Sequence, residues 1–120
     1  MTPAEKIKRI EKACMHAGST HSWEDWRAGL IGGSYRLFEN DHGVCIAEIV
    51  QAPQKRFLQC HITAGELPGV MDLQGDVDRY ALDNGCEFMS TTTRLGWKKV
   101  LPKYGWKMDG LVFVRRPAHA

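Results

Sequence analysis

The sequence has no apolar run approaching the roughly 20 residues that span a bilayer, no repeat and no low-complexity segment. The first eight residues, Met-Thr-Pro-Ala-Glu-Lys-Ile-Lys, are charged where an export signal would be apolar. These absences exclude a membrane-spanning or fibrous chain and lead us to expect a protein that stays where it is made. Cysteine is scarce and unpatterned. Cys14, Cys45, Cys60 and Cys86 form no Cys-x-x-Cys pair, and each lies among apolar or strand-forming neighbours. We therefore expect reduced, mostly buried thiols rather than a disulfide framework. Charge of one sign is also lacking, since the net is only +2.

What remains is an ordinary globular composition, 43% hydrophobic and 25% charged over 120 residues. That is enough for one domain, residues 1–120, with a real core. The charge is unevenly spread. From Arg94 onward there are seven basic residues and one acid, a net +6, while the preceding 93 residues carry nine basic and thirteen acidic side chains, a net −4. A basic end of this kind suits either a solvated face or a polyanion.

Element signals are frequent. Thr2, Pro3 and Glu5 predict a capped helix start, followed by Ile7, Ile10, Cys14 and Ala17 at helical spacing and a stop at Gly18. Ser22 with Asp25 opens a second helix carrying Trp23, Trp26 and Leu30, ended by Gly32-Gly33. Three strands follow, over 34–39, 44–50 and 56–63, with turns at Asn40–Gly43 and Ala52–Lys55. A helix over 70–84 has Val70, Leu73, Val77, Tyr80 and Ala81 inward and closes at Asn84-Gly85. A strand at 86–91, a short basic helix over 94–104 broken near Pro102, and a final strand over 106–115 complete the order. The expected class is α/β (α+β), a mixed and mostly antiparallel central sheet with helices on both faces.

Arg56-Phe57-Leu58-Gln59-Cys60-His61-Ile62-Thr63, the helix after it, and Arg94-Leu95-Gly96-Trp97 through Gly105-Trp106 together resemble the GNAT-type N-acetyltransferase fold. Gly105-Trp106 stands where that family usually has Gly-Phe. More narrowly, Ser22-Trp23-Glu24-Asp25, Thr63-Ala64-Gly65-Glu66-Leu67 and Leu101-Pro102-Lys103-Tyr104 resemble segments of small GNAT-like proteins of tailed phages and prophages. This second resemblance implies a place in the cytoplasm of a bacterial host or in the virion, and other phage structural proteins as partners.

The family resemblance also implies acetyl-CoA as cofactor and a diphosphate loop of the form Arg/Gln-x-x-Gly-x-Gly/Ala, whose backbone N–H groups face the phosphates. Here the corresponding residues are Ala64, Gly65, Glu66, Leu67 and Gly69, with Pro68 between the last two. If Gly69 is the last glycine, Ala64 and Leu67 occupy the Arg/Gln and first-glycine positions; if Gly65 is the first glycine, Leu67 falls on the second. Pro68 removes a donor, and Glu66 puts a negative charge where an anion would sit. The family's tyrosine acid falls on Leu101; Tyr104 is nearby and could substitute only if the helix breaks at Pro102. Glu48 or His61 offers a general base.

The resemblance and these departures lead to an expectation of a non-catalytic phage protein that binds other proteins in virion assembly, with no cofactor. Acetyl-CoA-dependent N-acetyl transfer is the alternative. Trp23, Trp26, Trp97, Lys98, Lys99 and Lys103 are the candidate partner surface, and the same basic aromatic region makes nucleic-acid binding a second alternative. Cys14, His16 and His21 lack a fourth ligand at metal spacing, and Asp72 and Asp76 share one solvated helix face, so no metal site is expected.

Overall fold

The structure is a computed structural model and describes residues 1–118. Helix α1 (Pro3–His16) starts where Thr2 Oγ1 accepts from the Glu5 N–H, with Pro3 in the first turn. Helix α2 (Trp23–Gly32) has a full capping box: Asp25 N–H donates to Ser22 Oγ, and Ser22 N–H donates to the Asp25 carboxylate. Gly33 closes α2 in the left-handed region.

Strands β1 (Arg36–Asn40), β2 (Gly43–Gln51) and β3 (Arg56–Gly65) form an antiparallel meander, and β4 (Phe88–Thr91) pairs parallel with β3. The sheet order is β1-β2-β3-β4, mixed and mostly antiparallel as expected. A 3₁₀ segment, Gly69–Leu73, leads into helix α3 (Gln74–Asp83).

Each sheet face has its own apolar core. Ile10, Cys14 and Trp26 from α1 and α2 pack on Val44, Ile46, Ile62 and Ala64. On the other face Val70, Leu73, Val77 and Ala81 pack on Cys45, Ala47, Leu58 and Cys60. Alternation along β2, with Val44 and Ile46 one way and Cys45 and Ala47 the other, divides these cores. Leu58 and Ile46 are fully buried.

Two expectations are corrected. The basic helix over 94–104 is instead two 3₁₀ turns, Leu95–Lys99 and Leu101–Tyr104, divided at Val100. Pro102 has no N–H to continue a helical ladder. The segment 106–115 forms no strand among the described residues. Its residues favour strand, but a strand exists only against a partner, and the left-handed turn at Gly105 leads the chain on without joining the β4 edge.

Candidate functional site

The register of β2 on β3 shifts once. Ile46 faces Ile62 while Ala47 faces Cys60, so His61 is an extra residue with no opposite number. At such a bulge the strand bends and a side chain is re-aimed. Here His61 is turned toward the α1/α2 face, beside Trp26 (ring centroids 5.2 Å apart) and Tyr35 (5.9 Å). On that face His61 Nε2 lies 2.8 Å from Glu48 Oε1. Both side chains are about one-third exposed, at 29% and 35%, which leaves them open to a ligand.

The bend also opens the sheet. β3 and β4 pair only from Phe57 with Phe88 to Cys60 with Thr91; beyond His61, β3 continues to Gly65 without that neighbour. A cleft of about 430 Å³ occupies the gap. His61, Ile62 and Thr63 line it from β3, and Met89 and Thr91 from β4. One end is walled by Ala13, His16 and His21 near Trp26, the other by Met71, Val77, Trp97 and Trp106. Those walls stand on opposite faces of the sheet, so the cleft runs through it. A mostly apolar, ligand-sized cleft with a few converging polar groups is the usual form of a small-molecule site.

The turn from β3 to the 3₁₀ segment is closely packed. Glu66 N–H donates to His42 O, Val70 N–H to Glu66 O, and Met71 N–H to Pro68 O. Pro68 has no N–H, so at most Leu67 and Gly69 remain to donate to a ligand. A Cβ on Gly65 would lie 2.3 Å from His42 O, and one on Gly69 2.3 Å from the His42 ring. The Asn40 side chain donates to Gly69 O and fixes the turn from below. With Glu66 exposed beside it, this turn does not fit a diphosphate.

The structure thus brings His61 and Glu48 together and places Ala64, Gly65, Glu66, Leu67 and Gly69 in one packed turn. It does not bring Tyr104 to them. Tyr104 lines a separate depression with Gln74, Phe88, Met89 and Asp109, and its carbonyl accepts from the Gln74 side chain. Among the candidate partner residues, Trp26 is buried in the α1/α2 core and offers no surface. Trp23 and Trp97 are half-buried, and Lys98, Lys99 and Lys103 are exposed. The aromatic wall around His61 is formed by residues far apart in the sequence. His21 stacks on Trp26 at 4.4 Å and Trp26 meets Tyr35 at 4.9 Å. The helical spacing of Trp23 and Trp26 was the one available signal for it.

The thiols are free; Cys14, Cys45 and Cys60 are buried and Cys86 is half-buried. Cys60 is raised well above the ordinary thiol range by its hydrogen bond with Cys45 and by burial. Burial likewise raises Cys14.

No family model matches the chain, and no curated protein matches its sequence. Solved structures do resemble it in fold. A Trypanosoma brucei acetyltransferase superposes with a TM-score of 0.66 at 7% identity, covering 97% of this chain and 96% of that one. An aminoglycoside acetyltransferase from an uncultured soil metagenomic sample, solved with sisomicin, gives 0.63 at 10% identity over 97% and 91%. A Bacillus halodurans protein, solved as a tetramutant, gives 0.71 at 10% identity over 95% and 94%. The chain therefore has a GNAT-like, acetyltransferase-like fold. No helix among the described residues is long and apolar enough to cross a membrane.

Proposed function

We propose that the protein transfers an acetyl group from a thioester to an amine in the cleft between β3 and β4. One observation carries this reading: the bulge residue His61, held by Glu48 at 2.8 Å, stands where the two strands part and a cleft opens. The tautomer that donates from Nε2 to Glu48 leaves Nδ1 as the basic nitrogen. His61 would take the proton of the attacking amine as the new N–C bond forms; the C–S bond breaks, and the thiolate takes a proton from solvent. Glu48 is a positioning residue that fixes the ring and its tautomer. Because the 64–69 turn is packed, the donor would be gripped by its acyl and pantetheine portion along β3, with little help from a diphosphate. The test is thiol release from acetyl-CoA against a panel of primary amines. Amine-dependent release that His61→Gln abolishes supports the reading; no release with any amine refutes it.

The same packed turn favours a second reading. In it the chain makes no use of a thioester and binds other proteins, as a component of phage particle assembly or of the virion. Its test is the composition of purified particles and assembly intermediates. The chain should be present in one of them, and its absence from all would remove this reading.

A further inference from the structure

The described chain ends in an arm that belongs to no sheet. After Trp106 N–H donates to Leu101 O, no backbone hydrogen bond joins residues 107–118 to the rest of the described residues. Yet the arm holds the run Leu111-Val112-Phe113-Val114, which is apolar at every position. That is the pattern of a strand covered on both faces. All four side chains are largely exposed, Phe113 at 89% and Val114 at 90%, with Val112 and Val114 also bordering the cleft. The radius of gyration, 14.9 Å, exceeds the about 13.6 Å expected of a compact domain this long, in keeping with a terminal segment that joins no sheet.

The same molecule has the complementary vacancy. β4 pairs with β3 on one edge only, and its other edge ends the sheet. An open strand edge is a ready template for another strand. Phe88 on that edge stacks on Phe57 at 4.8 Å yet remains exposed, so an added strand would find apolar surface beside it. Between the β4 edge and the chain at 105–109 lies the depression lined by Phe88, Met89, Tyr104 and Gly105, which holds the two apart. The arm does not fill its own chain's edge.

We infer that the edge is filled by a second copy of this chain, whose segment Gly110–Arg116 adds to β4 as a fifth strand. Reciprocal exchange gives a two-fold dimer in which both edges and both arms are satisfied. Strand addition takes its affinity from main-chain hydrogen bonds and its register from alternate side chains.

The experiment is light scattering on the full chain at about 50 µM, with Val112→Pro/Val114→Pro as the variant. Proline removes the ladder donors. Val112 and Val114 also border the cleft, whereas Leu111 and Phe113 do not, so the second variant separates loss of the strand from any change there. A second variant, Leu111→Asp/Phe113→Asp, removes the apolar match instead. We expect a dimer for the parent chain and monomers for both variants, each with an unchanged circular dichroism spectrum. A monomeric parent overturns the inference, as would a dimer that survives both double substitutions. The same holds for a parent that recruits an unrelated protein's strand and stays monomeric alone.

Discussion

His61 and Glu48 meet at 2.8 Å across strands thirteen residues apart because β3 holds one residue more than β2 at the bulge. Without that residue the strand would keep strict alternation, and the side chain after Cys60 would hold an ordinary ladder position. The bulge therefore aims the imidazole and opens the cleft in one step.

For this pair we expect His61→Gln to lower amine-dependent thiol release by on the order of 10²–10⁴-fold. Glu48→Gln should cause a smaller loss, because the ring stays in place while its tautomer is no longer fixed. Neither variant should shift the thermal midpoint by more than a few degrees, since both side chains are partly exposed. Initial rates and melting curves on the same preparations check this.

The tight β3 turn makes a stability prediction. Gly65 has φ +150, and an added Cβ would meet the His42 carbonyl at 2.3 Å. Gly65→Ala should destabilise by about 1–3 kcal/mol through overpacking alone. Gly75, in the first turn of α3 with open space around it, is the contrast. Gly75→Ala should stabilise by about 0.4–1 kcal/mol. Urea unfolding of the two variants should move in opposite directions.

Thiol chemistry should follow burial. Cys86 is half-buried and should react first with a thiol reagent under native conditions, while Cys14, Cys45 and Cys60 wait for unfolding. Timed labelling read by mass spectrometry would show one fast modification and three that appear only with denaturant.

The α2 cap is pH-sensitive in a defined direction. Hydrogen bonds from Ser22 hold the Asp25 carboxyl below its ordinary value of 3.8. A depressed carboxyl stabilises the fold above that value, and the stabilisation is lost as pH falls through the lower folded-state value. Ser22→Ala should destabilise by about 1 kcal/mol near neutrality. Only the share owed to the hydrogen bond from the Ser22 hydroxyl to the Asp25 carboxylate should fade in acid below about pH 3.8, because the substitution keeps the backbone N–H donor. A pH series of unfolding curves would show it.

Much of the fold was legible because its signals are local. The caps at Thr2, Ser22 and Gly33, the turn at Asn40–Gly43 and the apolar run of β2 each follow from a few adjacent residues. The donor-poor 64–69 turn was legible for the same reason, from Pro68 and Glu66. The bulge was not: it is a property of two strands in register, and nothing in Gln-Cys-His-Ile marks which residue is extra. The arm misled because Leu-Val-Phe-Val has a strand's composition without a strand beside it in the same chain. Tyr104 misled similarly, since its distance from His61 depends on how two 3₁₀ turns are set, not on spacing along a helix.

The most direct test is a pair of calorimetric titrations, coenzyme A and pantetheine, against the parent chain. Both ligands share the arm that would lie along β3, and only coenzyme A brings the diphosphate. We expect both to bind, with Kd values within about tenfold, or 1.4 kcal/mol, of each other. Binding of neither, or of coenzyme A a hundredfold more tightly, would contradict a cleft that grips a thioester without its phosphates.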